Sequence, residues 1–214
     1  MVARSSQRRR GGRRARTFAF VGSCTSTSSS LDFSALSAGA VQAGDLLVYI
    51  DGSRSGAAPG SVTPSGFTNG LNDAGVTFRG MISGKKAAGG EAAVTGMSGS
   101  FNSKIGLVFR PSKPFTSFSM LDTATEINAS NPASQSCDPS AETTAAIVVG
   151  VADSFGGGNG AFSTFSPAAD SNVTTADNDM DAGYKIYNTN PQATAIDMND
   201  LGNNWLASLY FTAT

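Results

Sequence analysis

The sequence predicts an all-β protein: a jelly-roll-like two-sheet β-sandwich built from a four-strand unit written twice, behind a basic N-terminal arm. Three observations carry that expectation. Short apolar runs rich in β-branched and aromatic residues alternate with Gly, Ser, Asn and Pro, the pattern of strands joined by tight turns. No stretch sustains the 3.6-residue period of an amphipathic helix. The order of the runs returns after about a hundred residues, which marks an internal repeat.

The first copy spans residues 44–111. It opens on Leu46-Leu47-Val48-Tyr49-Ile50, passes through Val62-Thr63-Pro64, Val76 to Ile82 and Ala93 to Met97, and closes on Ile105 to Phe109. The second copy, residues 145–212, answers in the same order: Ala146 to Val151, Phe165-Ser166-Pro167, Tyr184 to Tyr187, Ala195 to Met198 and Leu206 to Phe211. The same 101 residues separate Val48 from Val149 and Met97 from Met198. Asp51-Gly52, Asn69-Gly70 and Gly89-Gly90 read as turn dipeptides. Pro111 and Pro114 end the first copy, because proline cannot donate to a central ladder. Phe115 to Glu126 reads as a further strand or crossover. Residues 128–141 read as an irregular joining loop, and Gly156 to Gly160 as the most flexible one. In this reading each half supplies strands to both sheets, which closes most edges.

Residues 1–31 form an Arg-rich arm with a Ser/Thr linker, and residues 32–214 a single sandwich domain, a length that buries a sizeable core. Phe18 to Val21 suits a first edge strand. It is too short for the ~7 to 15 apolar residues of an export signal.

Composition narrows the function classes. The chain has no histidine, which removes the usual general base, zinc ligand and pH switch. Cys24 and Cys137 are too few for a disulfide scaffold and read as free thiols. No run reaches the roughly 18 to 20 apolar residues of a membrane helix. Charged residues are 14% of the chain, well below the usual quarter or so, and such a surface suits packing among neighbours. The net charge of -1 hides an asymmetry. Arg4, Arg8, Arg9, Arg10, Arg13, Arg14 and Arg16 lie in the first sixteen residues without one acid, leaving eight basic against sixteen acidic residues elsewhere. Such an arm cannot fold alone and orders on an acidic partner, either nucleic acid or a carboxylate-rich protein surface.

Candidate chemistry is sparse. Gly80 to Lys85 is one residue short of a phosphate-binding loop, and Lys86 stands where a magnesium-binding hydroxyl belongs. Ser98 has no histidine to activate it. Asp177, Asp179 and Asp181 alternate as hard oxygen ligands do, making calcium the one ion the residues suggest. The sixth and twelfth positions of an EF-hand loop are here Ala182 and Asn188. The acid pairs Asp122 with Glu126 and Asp197 with Asp200 fit no selected sugar cleft. Tyr184, Tyr187 and Trp205 are the aromatic candidates for an interface or for stacking on sugar. The chain therefore reads as no enzyme, with no required cofactor.

Gly44-Asp45-Leu46-Leu47-Val48, Thr63-Pro64-Ser65-Gly66-Phe67-Thr68, Thr95-Gly96-Met97-Ser98-Gly99 and Leu107-Val108-Phe109-Arg110-Pro111 resemble a group of tailed-bacteriophage virion proteins, as do Tyr184 to Asn188 and Ile196 to Asp200. The resemblance covers most of residues 44–212 and leaves out the arm. It implies a β-sandwich located in the virion, with no catalytic residues to carry over. The implied partners are the major capsid protein or neighbouring subunits, with copies of the chain oligomeric in the particle and no membrane. A capsid decoration, cement or minor capsid role follows. The alternatives are a jelly-roll coat protein whose arm binds packaged nucleic acid, and a tail or host-recognition module that binds carbohydrate.

Overall fold

The computed structural model describes residues 15–128, 134–154, 160–177, 179–198 and 204–214. The first half of the chain forms β1 (Phe18–Ser26), β2 (Ser30–Asp32), β3 (Leu46–Arg54), β4 (Thr68–Ala74), β5 (Phe78–Lys86), β6 (Ala93–Thr95) and β7 (Phe101–Pro111). The second forms β8 (Phe118–Asn128), β9 (Gln135–Cys137), β10 (Ala146–Asp153), β11 (Phe162–Ser166), β12 (Ser171–Thr174), β13 (Met180–Tyr187), β14 (Thr194–Met198) and β15 (Asn204–Ala213). Among the described residues there is no α-helix, and the one helical turn is a 3-10 turn at Pro139–Ala141.

The repeat is visible in the topology. One five-stranded sheet runs β1-β7-β3-β5-β4 and the other runs β8-β15-β10-β13-β12, the same order with each strand replaced by its counterpart. Register follows: Val48 lies opposite Gly84 and Leu107, and Val149 opposite Tyr184 and Leu209. Even the irregularity recurs. β1 slips between Phe20 and Gly22 against β7, and β8 slips between Leu121 and Ala124 against β15. The repeated unit is thus larger than four strands, since β1, β2, β8 and β9 belong to it.

The two five-stranded sheets face each other across the main core. Val48, Ile50, Ile105, Leu107 and Phe109 of one meet Ile147, Val149, Val151, Leu209 and Phe211 of the other. Each half keeps its strands in its own sheet, in contrast to the expectation that both halves feed both sheets. Antiparallel strands close in sequence pair with the least loop to order. The outer faces are covered as well. β2 and β6 lie over the first sheet on Leu31, Leu47, Tyr49, Met81 and Met97. β9, β14 and β11 lie over the second on Cys137, Val148, Ile196, Met198 and Leu206. With both faces covered, β10 and β15 are buried at every position, which is why they read as mostly apolar runs rather than alternating ones.

Several local expectations are corrected. Asp51-Gly52 is no turn but lies inside β3, where the bare Gly52 makes room for the Asp153 carboxylate of the facing sheet. Asn69-Gly70 lies in β4 at a bulge, with Gly70 against Met120 of β8. Gly89 and Gly90 do turn the chain, with φ of 95° and 65°. Val62-Thr63-Pro64 forms no strand, and the edge strand β4 follows it instead. Residues 18–31, grouped with the arm and linker by sequence, contribute β1 and most of β2 to the body. β9 forms within the segment read as an irregular loop. Gly156 to Asn159 lie outside the described residues.

Candidate functional site

One of the motifs quoted above, Thr95 to Gly99, closes over a buried polar cluster on the outer face of the first sheet. Alternation along β3 sends Leu47, Tyr49, Asp51 and Ser53 to the outer face, under the β2–β6 cover. Lys104 of β7 stands directly opposite Asp51. Both side chains are 0% exposed, and Lys104 Nζ donates to Asp51 Oδ1 at 2.9 Å. Asp51 Oδ2 accepts from the Tyr49 hydroxyl at 2.5 Å and from the Met97 N–H at 2.8 Å. The Ser53 hydroxyl lies 3.0 Å from Asp51 Oδ1, 3.5 Å from Lys104 Nζ and 3.2 Å from Asn102 Oδ1. Burial, and then the Asp51 charge, push the Tyr49 phenol far up, so it remains a donor.

The roof of the cluster is the segment after β6. A side chain at Gly96 would overlap the Tyr49 hydroxyl, and one at Gly99 would overlap the Arg54 carbonyl. That requirement accounts for the Thr95-Gly96-Met97-Ser98-Gly99 motif: its glycines let backbone close over Asp51. Thr63 to Thr68 places Phe67 against Tyr49 and Phe33 through a turn with Gly66 at φ 80°. Asp45 and Arg110, from the first and last motifs of the unit, form a two-pronged ion pair at 2.9 and 2.8 Å. That pair raises the guanidinium above its ordinary range, through the hydrogen bond first.

The second half supplies an internal comparison. At the register of Asp51 and Lys104 it carries Ala152 opposite Leu206, packed with Ile196 and Met198. The same layer is therefore built without charge. Replacing a buried ion pair by apolar residues is often neutral or stabilising, whereas removing one partner costs about 3–5 kcal/mol. Sequence reading passed over this cluster because Asp51 sat in a turn-like dipeptide and Lys104 preceded the apolar run. The usable signal was the period-two series Leu47, Tyr49, Asp51, Ser53.

The other candidates lie elsewhere. Of the arm arginines, Arg4, Arg8, Arg9, Arg10, Arg13 and Arg14 lie outside the described residues. Arg16 is fastened to the body: its guanidinium donates to the Ala213 carbonyl and, at 3.0 Å, to that of Pro114. Beside it, Thr17 and Ser112 bond to each other, and Phe18 N–H donates to Asn188 Oδ1 at 2.7 Å. The root of the arm is thus tied to both halves. Asp177, Asp179 and Asp181 do not converge, and among the described residues no group of three or more such ligands is gathered for a metal. Asp181 turns inward to the Thr174 hydroxyl, and Asp177 accepts from the Asp179 N–H. Burial raises both Asp179 and Asp181, with Asp177 adding to the first.

Trp205, Tyr184 and Tyr187 are 0%, 4% and 7% exposed, so none offers a face to sugar. Trp205 lies on Gly80 of the facing sheet and donates to Thr125 at 2.9 Å; Tyr184 stacks on Phe20; Tyr187 bonds to Thr194. Gly80 to Lys85, the phosphate-loop lookalike, runs through β5. Cys24 and Cys137 are free and buried.

The fold and this cluster define an all-β protein made of two equivalent sandwich halves. No family model, no curated protein and no solved structure matches the chain.

Proposed function

We propose that the chain is a non-enzymatic structural subunit of a bacteriophage virion, a capsid decoration, cement or minor capsid protein that packs against neighbouring subunits. The observation that carries this reading is the placement of the arm. Seven arginines precede a body whose central sheets are covered on both faces by its own chain, and the last of the seven is anchored beside the C-terminal strand. Such a body offers its rim, its covers and its arm to neighbouring subunits. The absence of histidine and the virion-like motifs point the same way.

The arm acts through many simultaneous contacts, since one exposed ion pair contributes only about 0–1 kcal/mol. Its partner is an acidic capsid surface, with copies of the chain arrayed on the particle. Cryo-EM of intact particles should show the protein on the outer shell at a fixed stoichiometry, and its absence from purified particles would end the reading. Release of bound protein by salt should be steep, as the screening length falls from about 10 Å at 0.1 M to about 3 Å at 1 M. Nuclease treatment of opened particles then separates partners. Retention indicates protein; loss indicates packaged nucleic acid and the coat-protein alternative.

A further inference from the structure

We propose that Lys104 and Asp51 become joined by an isopeptide bond that the folded chain forms on itself, with Tyr49 and Ser53 assisting. The ion pair seen in the structure is the reactant state. Both ends are fully buried and in contact, beneath Gly96 and Met97 and beside Tyr49, so the nucleophile and its target are held together without competing water.

The chemistry balances without any co-reactant: an ammonium and a carboxylate give a secondary amide and one water, with no oxidation or reduction. One ammonium proton passes to Asp51 Oδ1, freeing the Nζ lone pair. Nζ then bonds to Cγ, and negative charge develops on Oδ2. Two donors already aim at that oxygen, the Tyr49 hydroxyl and the Met97 N–H. A second amine proton reaches Oδ1 through the Ser53 hydroxyl, which lies within 3.0 Å of Oδ1 and 3.5 Å of Nζ. The Cγ–Oδ1 bond breaks, Oδ1 leaves as water, and Nζ keeps its last hydrogen as the amide N–H. Condensation removes two buried charges at once and leaves a carbonyl whose donors are in place.

The second half argues that packing does not require this pair. Ala152 and Leu206 fill the same register with an apolar contact, under the same kind of cover. The counterpart layer thus closes without a charge pair at this register. The hydroxyls around them sit where proton transfer needs them.

The test is peptide mapping by mass spectrometry of the purified full-length protein. The expected result is a branched species in which the Asp51 and Lys104 peptides are joined, one water lighter than their sum, with no tryptic cleavage after Lys104. Two linear peptides of full mass, cleaved after Lys104, would overturn the proposal and leave an ion pair. Water loss confined to the Asp51 peptide would also overturn it, because an imide at Asp51-Gly52 loses the same mass. Asp51→Asn should give the identical branched product by losing ammonia instead. Tyr49→Phe should slow its appearance. The double variant Asp51→Ala with Lys104→Leu copies the second half, so it should fold and show only linear peptides.

Discussion

Single residues in this protein are held by what the opposite layer leaves room for. Gly80 is the clearest case, since a methyl there would drive into the Trp205 indole, which is fully buried and bonded to Thr125. Gly80→Ala should lower stability by about 1–3 kcal/mol, the usual cost of overpacking a close-packed core. Denaturant unfolding measures it, and the Trp205 emission should shift to the red in parallel. The thiols make a second test. Burial raises Cys24 and Cys137 from 9.0 to about 12, so the thiolate is scarce in the native state. Neither should react with a thiol reagent at pH 8 until the chain unfolds. The linkage sign follows: between pH 9 and 12 the unfolded chain has lost these protons and the folded chain still holds them. The folded state therefore loses stability as pH rises through that window. Melting temperature measured across it should fall, and should fall less in a variant with alanine at both cysteines.

At the scale of elements, β1 shows what sequence could and could not disclose. Phe18 to Val21 was legible as an edge strand from its apolar run. That β1 completes a five-stranded sheet was not, because its partner β7 lies far along the chain and pairing leaves no local mark. The apolar runs Leu46 to Ile50 of β3, Ala146 to Val151 of β10 and Leu206 to Phe211 of β15 were legible, since burial on both faces favours apolar residues on both. β4 and β12 were missed, because Thr68–Ala74 and Ser171–Thr174 are polar edge strands that need only one apolar face. The Asp51–Lys104 cluster was missed for the opposite reason: charge inside a strand imitates a turn. The anchoring of the arm gives a graded prediction. Deleting residues 1–14 should leave melting unchanged. Arg16→Ala should cost about 1–2 kcal/mol, at the low end for charged hydrogen bonds that are partly exposed. Deleting residues 1–26 strips β1 from β7 and should prevent folding. If that last deletion melted like the full chain, β1 would be an ornament.

At the scale of the whole molecule, the repeat decides how the protein is stabilised. Gly52 and Asp153 occupy equivalent positions in the two halves and meet across the core, so the halves face each other through a pseudo-two-fold relation. The consequence is that neither half owns the main core between the two large sheets. The inward-facing Leu46, Val48, Ile50, Ile105 and Leu107 share one core cluster with the other half's Ile147, Val149, Val151 and Leu209. A fragment of residues 1–114 would keep its outer cover, β2 and β6, but would expose a continuous apolar sheet face, and such faces drive association. Thermal unfolding of the full chain should accordingly be one cooperative transition, with calorimetric and van't Hoff enthalpies in agreement. Expressed separately, residues 1–114 and 115–214 should each aggregate or pair with themselves, because a pseudo-two-fold core lets a half accept a copy of itself in its partner's place. Refolded together they should recover a one-to-one complex with the far-UV spectrum of the intact chain. Sedimentation of the separate halves is the deciding measurement. A folded, monomeric first half with sharp, dispersed amide resonances would mean that its outer layer suffices as a core, and that the contact between the large sheets only joins two finished domains.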